Sequence, residues 1–122
     1  MKEKEIFLRK GPAQVVQPTR DEKPKYNAQL SPEKQWVVYH GDPTEESAAV
    51  VQFIFAVIDL KDSTKKEIGF HVLKGTRIET VEWLNPYRFG ALASLEGRKS
   101  YYYAIFDAKQ GKLIDYVLGR IP

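Results

Sequence analysis

Beyond Leu30 the chain is a succession of short apolar runs, each closed by turn residues. Trp36-Val37-Val38-Tyr39 stands between Ser31-Pro32-Glu33-Lys34 and His40-Gly41-Asp42-Pro43. Val50 to Asp59 is a long β-branched and aromatic run that ends in Lys61-Asp62-Ser63-Thr64-Lys65. Ile68 to Leu73 follows, then Lys74-Gly75 and the run Arg77 to Trp83. Asn85-Pro86 turns the chain into Phe89 to Leu95, Gly97 turns it again, and Ser100 to Asp107 runs to Gln110-Gly111. Leu113 to Leu118 is the last run. Turn signals about every 8–12 residues, between β-branched and aromatic runs, predict an all-β fold of antiparallel strands. One window, Thr44 to Ala49, has the Thr, Ser and Glu of a capped helical turn, but it reads better as a surface loop.

Residues 1–29 carry a different pattern. Gly11-Pro12, Pro18, Asp21-Glu22-Lys23-Pro24 and Asn27 interrupt them, and only Ile6-Phe7-Leu8 and Val15-Val16 suit a strand. Each proline fixes φ and removes a backbone donor, which excludes a long helix or a central strand. The expectation is an extended arm with edge strands, followed by a single β domain over residues 30–122.

Within that domain the side-chain faces are informative, because successive strand residues point to opposite sides. Phe53, Phe55, Val57 and Asp59 share one face, and Ile54, Ala56 and Ile58 share the other. Tyr101, Tyr103, Ile105 and Asp107 form the corresponding set in a second run, opposite Tyr102, Ala104 and Phe106. Both faces are apolar in both runs. That is the pattern of a strand covered on two sides rather than one exposed to water.

The two runs belong to a longer internal match. Leu30-Ser31-Pro32 leads into the Trp36 run as Leu84-Asn85-Pro86 leads into the Phe89 run, and Phe55-Ala56-Val57-Ile58-Asp59-Leu60-Lys61 matches Tyr103-Ala104-Ile105-Phe106-Asp107-Ala108-Lys109. A period near 50 residues with several strands per unit suggests propeller blades. The segment Ser31-Pro32-Glu33-Lys34-Gln35-Trp36 resembles the strand start of Tol-type and dipeptidyl-peptidase-type β-propellers, and Phe106-Asp107-Ala108-Lys109-Gln110-Gly111-Lys112-Leu113 resembles their blade hairpin. The resemblance spans about residues 30–118 and implies two blade-like repeats, about 30–73 and 77–119. It also implies a bacterial, extracytoplasmic protein whose loops meet a protein or peptide partner. Propellers have four to eight blades. Two per chain therefore implies a homo-oligomeric ring, a piece of a longer protein, or, as the alternative architecture, two hairpin sheets packed as a β-sandwich.

Composition narrows the function. The 122 residues suffice for one core, and six Phe, seven Tyr and two Trp enrich it. Nineteen Lys and Arg against sixteen Asp and Glu leave a formal charge of +3. The signs are interleaved, as expected of a soluble surface rather than of a one-sign basic patch for nucleic acid. With no cysteine, disulfides, thiolate metal sites and thiol nucleophiles are excluded. The run from Ala48 to Leu60 falls short of the ~20 residues of a membrane-spanning helix, and Ile6-Phe7-Leu8 is too short for the core of a secretory leader.

No catalytic constellation emerges. None of Ser31, Ser47, Ser63, Ser94 and Ser100 sits in a nucleophile-elbow motif, and the glycines are scattered singly as turn residues. His40 stands at a strand end beside Gly41-Asp42, where exposure is expected, and His71 stands inside a strand. Asp59 and Asp107 suit a capping role, each accepting from backbone amides of its turn. The expectation is a non-catalytic binding module with no cofactor or metal, contacting a protein or peptide partner. A small-ligand or carbohydrate binder is the second reading, with Tyr101, Tyr103 and His40 as candidate contacts. Tyr102, facing the other way, cannot join Tyr101 and Tyr103 on one platform.

Overall fold

The computed structural model of the chain describes residues 8–9, 15–16, 23–95 and 100–120. Ile6-Phe7, Gly11-Pro12, Pro18 and the Gly97 turn lie outside the described residues. Among the described residues the structure is all-β and antiparallel, without a helix. Its strands are β1 (Leu8–Arg9), β2 (Val15–Val16), β3 (Tyr26–Leu30), β4 (Trp36–His40), β5 (Thr44–Glu45), β6 (Val50–Asp59), β7 (Lys65–Leu73), β8 (Thr76–Asn85), β9 (Arg88–Leu95), β10 (Ser100–Asp107) and β11 (Lys112–Arg120). β1 and β2 pair with each other.

The remaining strands form two sheets that do not close into a barrel. In the first, β6 is the spine. One edge pairs with β7 along its length, and the other pairs with β4 over Phe55–Asp59 and with β5 over Val51–Gln52. β3 lies outside β4. The second sheet is the meander β8-β9-β10-β11. Two elements differ from the sequence pattern. β3 starts at Tyr26, ahead of Leu30, and its Asn27 bends the strand with a φ of 53°. β5 lies in the window expected to be loop, because a turn closed by Glu46 N–H on the Val50 carbonyl (3.0 Å) lays Thr44 and Glu45 against β6.

Matched hydrogen bonds recur in the two sheets. Leu60 N–H donates to the Gln35 carbonyl at 2.7 Å, and Ala108 N–H donates to the Tyr87 carbonyl at 2.8 Å. The turns after β6 and β10 are closed by Ser63 N–H on the Asp59 carbonyl (2.7 Å) and by Gly111 N–H on the Asp107 carbonyl (2.8 Å). Ser63 and Gly111 share a positive φ, 64° and 68°. The aspartates cap these turns as expected, Asp59 accepting from Lys61 N–H (2.9 Å) and Asp107 from Gln110 N–H (2.8 Å). Ahead of β4 and β9, Ser31 Oγ accepts from Trp36 N–H (3.0 Å) and Asn85 Oδ1 accepts from Arg88 N–H (2.9 Å).

The matched faces do not meet. The first sheet turns Trp36, Val38, Phe53, Phe55, Val57 and Phe70 toward the second, so the Asp59-bearing side of β6 faces inward. The second sheet answers with Phe89, Ala91, Ala93, Ala104 and Phe106, the side of β10 opposite Asp107. The sheets are therefore stacked front to back rather than face to face. Val37, Tyr39, Ala56 and Ile58, on the far face of the first sheet, form a separate buried cluster, so β4 and β6 are covered on both sides.

Phenylalanines join the layers. Phe55 and Phe106 are 4.8 Å apart between centroids, Phe89 and Phe106 stack at 4.9 Å, and Phe70 meets Phe106 edge-on at 5.7 Å. Truncating a buried Phe loses its transfer free energy and leaves a cavity. Phe55→Ala and Phe106→Ala should each cost about 3–5 kcal/mol in chemical denaturation. Tyr103→Ala, on the outer face, should cost well below that range; equal losses at Phe55 and Tyr103 would overturn this assignment of faces.

Candidate binding cleft

The sheets cross obliquely. β8 starts beside the end of β7, across the Lys74-Gly75 turn, and by Trp83 it has reached the opposite edge of the first sheet, where indole Nε1–H donates to the Gln29 carbonyl at 3.0 Å. The layers thus stay in contact at β3 and β8 and separate along β7 and β11. At one end the gap is bridged by Lys66, whose Nζ donates to the Lys109 carbonyl at 2.5 Å and whose stem lies against Gly111. Beyond the bridge opens a cleft of about 450 Å³ between the two strands.

Phe70, Val72 and Leu73 of β7 line it on one side, and Tyr102, Leu113 and Tyr116 of β10 and β11 line it on the other. Val50 and His71 stand at its rim. The lining is apolar because Phe70, Val72, Tyr102, Leu113 and Tyr116 continue the inward face of each sheet past the point where the layers touch, and Leu73 adds an apolar side chain at the strand end. β11 pairs with β10 alone among the described strands, so no described strand occupies its second edge. Its Tyr116, Val117 and Leu118 are 58%, 59% and 56% exposed, an apolar run of a kind that edge strands ordinarily interrupt with charge. Tyr116 N–H is held by the Asp115 carboxylate at 2.8 Å.

The residues singled out by sequence lie elsewhere. Tyr101 and Tyr103 share the outer face of the second sheet, with Tyr102 turned inward to the cleft, as the alternation requires. The Tyr103 ring lies over Gly90 and the Tyr101 ring over Gly119. Any Cβ at either glycine would collide with the ring, so glycine is needed there for the tyrosines to lie along the sheet. Burial and a 2.8 Å hydrogen bond to Glu82 push the Tyr103 hydroxyl up to about 12. Ser94 and Arg77 both donate to Glu79 beside them, holding its carboxyl below the usual range.

His40 belongs to neither place, and the exposure expected of it is corrected by the structure: it is buried. β3 lies over it, stacking Tyr26 on the imidazole at 5.6 Å, while Phe53 and Phe55 meet it edge-on. A carbonyl only accepts, so the 2.9 Å contact to Gly41 O places the proton on Nδ1, and Nε2 accepts from Asn27 Nδ2 at 3.0 Å. Both nitrogens are engaged by structural partners, and the bent Asn27 supplies one of them. His71 lies far along β7, with Nε2 3.6 Å from Glu46. Among the described residues no group of three or more His, Asp or Glu side chains is placed to hold a metal ion, and no helix is long and apolar enough to cross a membrane.

The cleft residues escaped the sequence reading because Tyr102 and Leu113 look like ordinary core. The signal that marks the site is the uncharged run Tyr116-Val117-Leu118 on the last strand. Comparison of the chain with protein families, with characterised proteins and with solved structures returned no match.

Burial holds the His40 pKa below its ordinary value of 6.5, against the opposing pull of Gly41 O and Asp42. The unfolded chain therefore takes up more protons as pH falls below about 6.5, and stability, full above that value, should decline toward the lower folded value. Asp107 adds a separate acid loss. Burial opposes its charge, but Gln110, Arg88 and Lys109 together hold it below 3.8, so its contribution fades only as pH falls below that. The urea midpoint should drop between about pH 7.5 and about pH 5.5, and the drop should flatten in His40→Gln. An unchanged wild-type midpoint across that range would overturn the assignment.

Proposed function

We propose that the chain is a non-catalytic binding module that holds an extended segment of a protein or peptide partner in the cleft between β7 and β11. The observation that carries this reading is the coincidence of an apolar cleft with an open strand edge. Apolar pockets supply affinity, and an unpaired edge supplies main-chain hydrogen bonds to an added strand. Catalysis is disfavoured because the groups best suited to it are occupied: His40 by Asn27 and Gly41, Asp107 by Gln110 and Arg88. The matched turns and front-to-back stacking support reading the two sheets as blade-like units. On the outer face of the second sheet two matched positions turn polar or small, Arg88 and Gly90 standing where the first sheet has Trp36 and Val38, which suits the end of a stack more than a face awaiting another sheet.

A second reading, a carbohydrate or other small ligand on the tyrosine face, is favoured by one observation. Tyr101 and Tyr103 lie flat over glycines beside the hydrogen-bonding groups of Glu79, Glu82 and Ser94.

Fluorescence polarisation with labelled extended apolar peptides separates the two. Tyr116→Ser and Leu118→Ser, at exposed positions that leave the core intact, should each weaken peptide binding at least about tenfold, equivalent to about 1.4 kcal/mol. Tyr101→Ala should leave it unchanged. Peptide binding indifferent to Tyr116 and Leu118 would overturn the cleft reading, and glycan binding lost in Tyr101→Ala would establish the other.

A further inference from the structure

The charges around the cleft are unequally satisfied. At its open end Lys74 pairs with Glu45 at 2.5 Å and His71 faces Glu46 at 3.6 Å. At the bridged end stand Lys66, Lys109 and Lys112, and none has a carboxylate within 4.0 Å among the described residues. Lys66 donates to a carbonyl, and Lys109 lies over the Tyr87 ring at 4.6 Å, so neither charge is neutralised. Three lysines thus gather on one turn and the strand packed against it, Lys66 on the inward side of β7 and Lys112 on the outer side of the edge strand β11, beside Leu113 of the cleft.

The direction of the strands adds to this. β7 and β11 both start at the Lys66 bridge and run away from it along the cleft. A chain added antiparallel to the β11 edge therefore travels toward the bridge and ends there. Resting on the cleft reading above, we infer that the partner is an extended peptide segment whose apolar residues fill the cleft antiparallel to β11 and whose C-terminal end is acidic, facing Lys66, Lys109 and Lys112. The bond from Tyr116 N–H to Asp115 is the contact such a strand displaces. In the free protein that bond withholds an edge donor, which explains how an uncharged edge run is kept from unspecific pairing.

Three synthetic peptides with one apolar core test the polarity by fluorescence polarisation: one with two acidic residues and a free carboxylate at its C-terminus, one with the acidic pair at its N-terminus and an amidated end, and one with a lysine pair at its C-terminus. The first should bind at least tenfold more tightly than the second and lose its advantage as salt rises. The double variant Lys109→Glu, Lys112→Glu leaves the Lys66 bridge in place and should invert the preference toward the lysine peptide. Asp115→Ala should tighten binding of the first peptide by freeing Tyr116 N–H. Equal binding of all three peptides, still sensitive to Tyr116→Ser, would overturn the polarity and leave the cleft reading standing. Binding of none would overturn both.

Discussion

Phe55 and Phe70 from one sheet and Phe89 and Phe106 from the other meet in a single cluster, and the architecture depends on their fit. Phe106 touches all three of the others, at 4.8, 5.7 and 4.9 Å. Rings of this size fit between two sheets only if the opposing surface recedes, and Ala91, Ala93 and Ala104 provide that recess. Large rings from both sheets thus interlock, with the small Ala91 and Ala104 two residues along from Phe89 and Phe106. This contact lies mid-strand in β6 and β7 and at one end of β9 and β10, while each sheet twists away from it. The oblique crossing and the cleft along β7 and β11 are consequences: the layers are pinned at the phenylalanines and cannot remain in contact at every edge.

The front-to-back stacking also determines what the outer surfaces look like. Because the Asp59 side of β6 faces inward and the Asp107 side of β10 faces outward, equivalent positions in the two sheets meet opposite environments. Phe55 is sealed in the core, and its counterpart Tyr103 is half-buried with its hydroxyl on Glu82. Tyrosine suits that position, since it presents an apolar ring to the sheet and a polar tip to water. One pattern of alternation therefore supports a core strand in one place and a surface strand in the other.

Polar groups away from the cleft serve mainly the fold. Asp59 and Asp107 satisfy turn amides, Ser31 and Asn85 start the strands that follow, and His40 ties β3 to β4 through the bent Asn27. The apolar cleft and, at its end, the charges of Lys109 and Lys112 are the features left without such a task. That contrast points the functional reading at the β7–β11 edge.

Much of this was legible along the chain. The spans of β6 and β10, the capping aspartates, the two-sided cover of β6, though not the same cover expected of β10, and the opposite facing of Tyr102 from Tyr101 and Tyr103 all follow from a period of two and from turn chemistry, which act between near neighbours. β3 was harder to see, because Tyr26-Asn27-Ala28-Gln29 carries little apolar alternation and is held in place by pairing with β4. The burial of His40, the uncovered run at Tyr116 and the meeting of Phe70, Tyr102 and Leu113 around one cleft depend on how two twisted sheets cross. That angle arises from the sizes of residues far apart in sequence, so only the tertiary structure decided which apolar positions became core and which were left open at an edge.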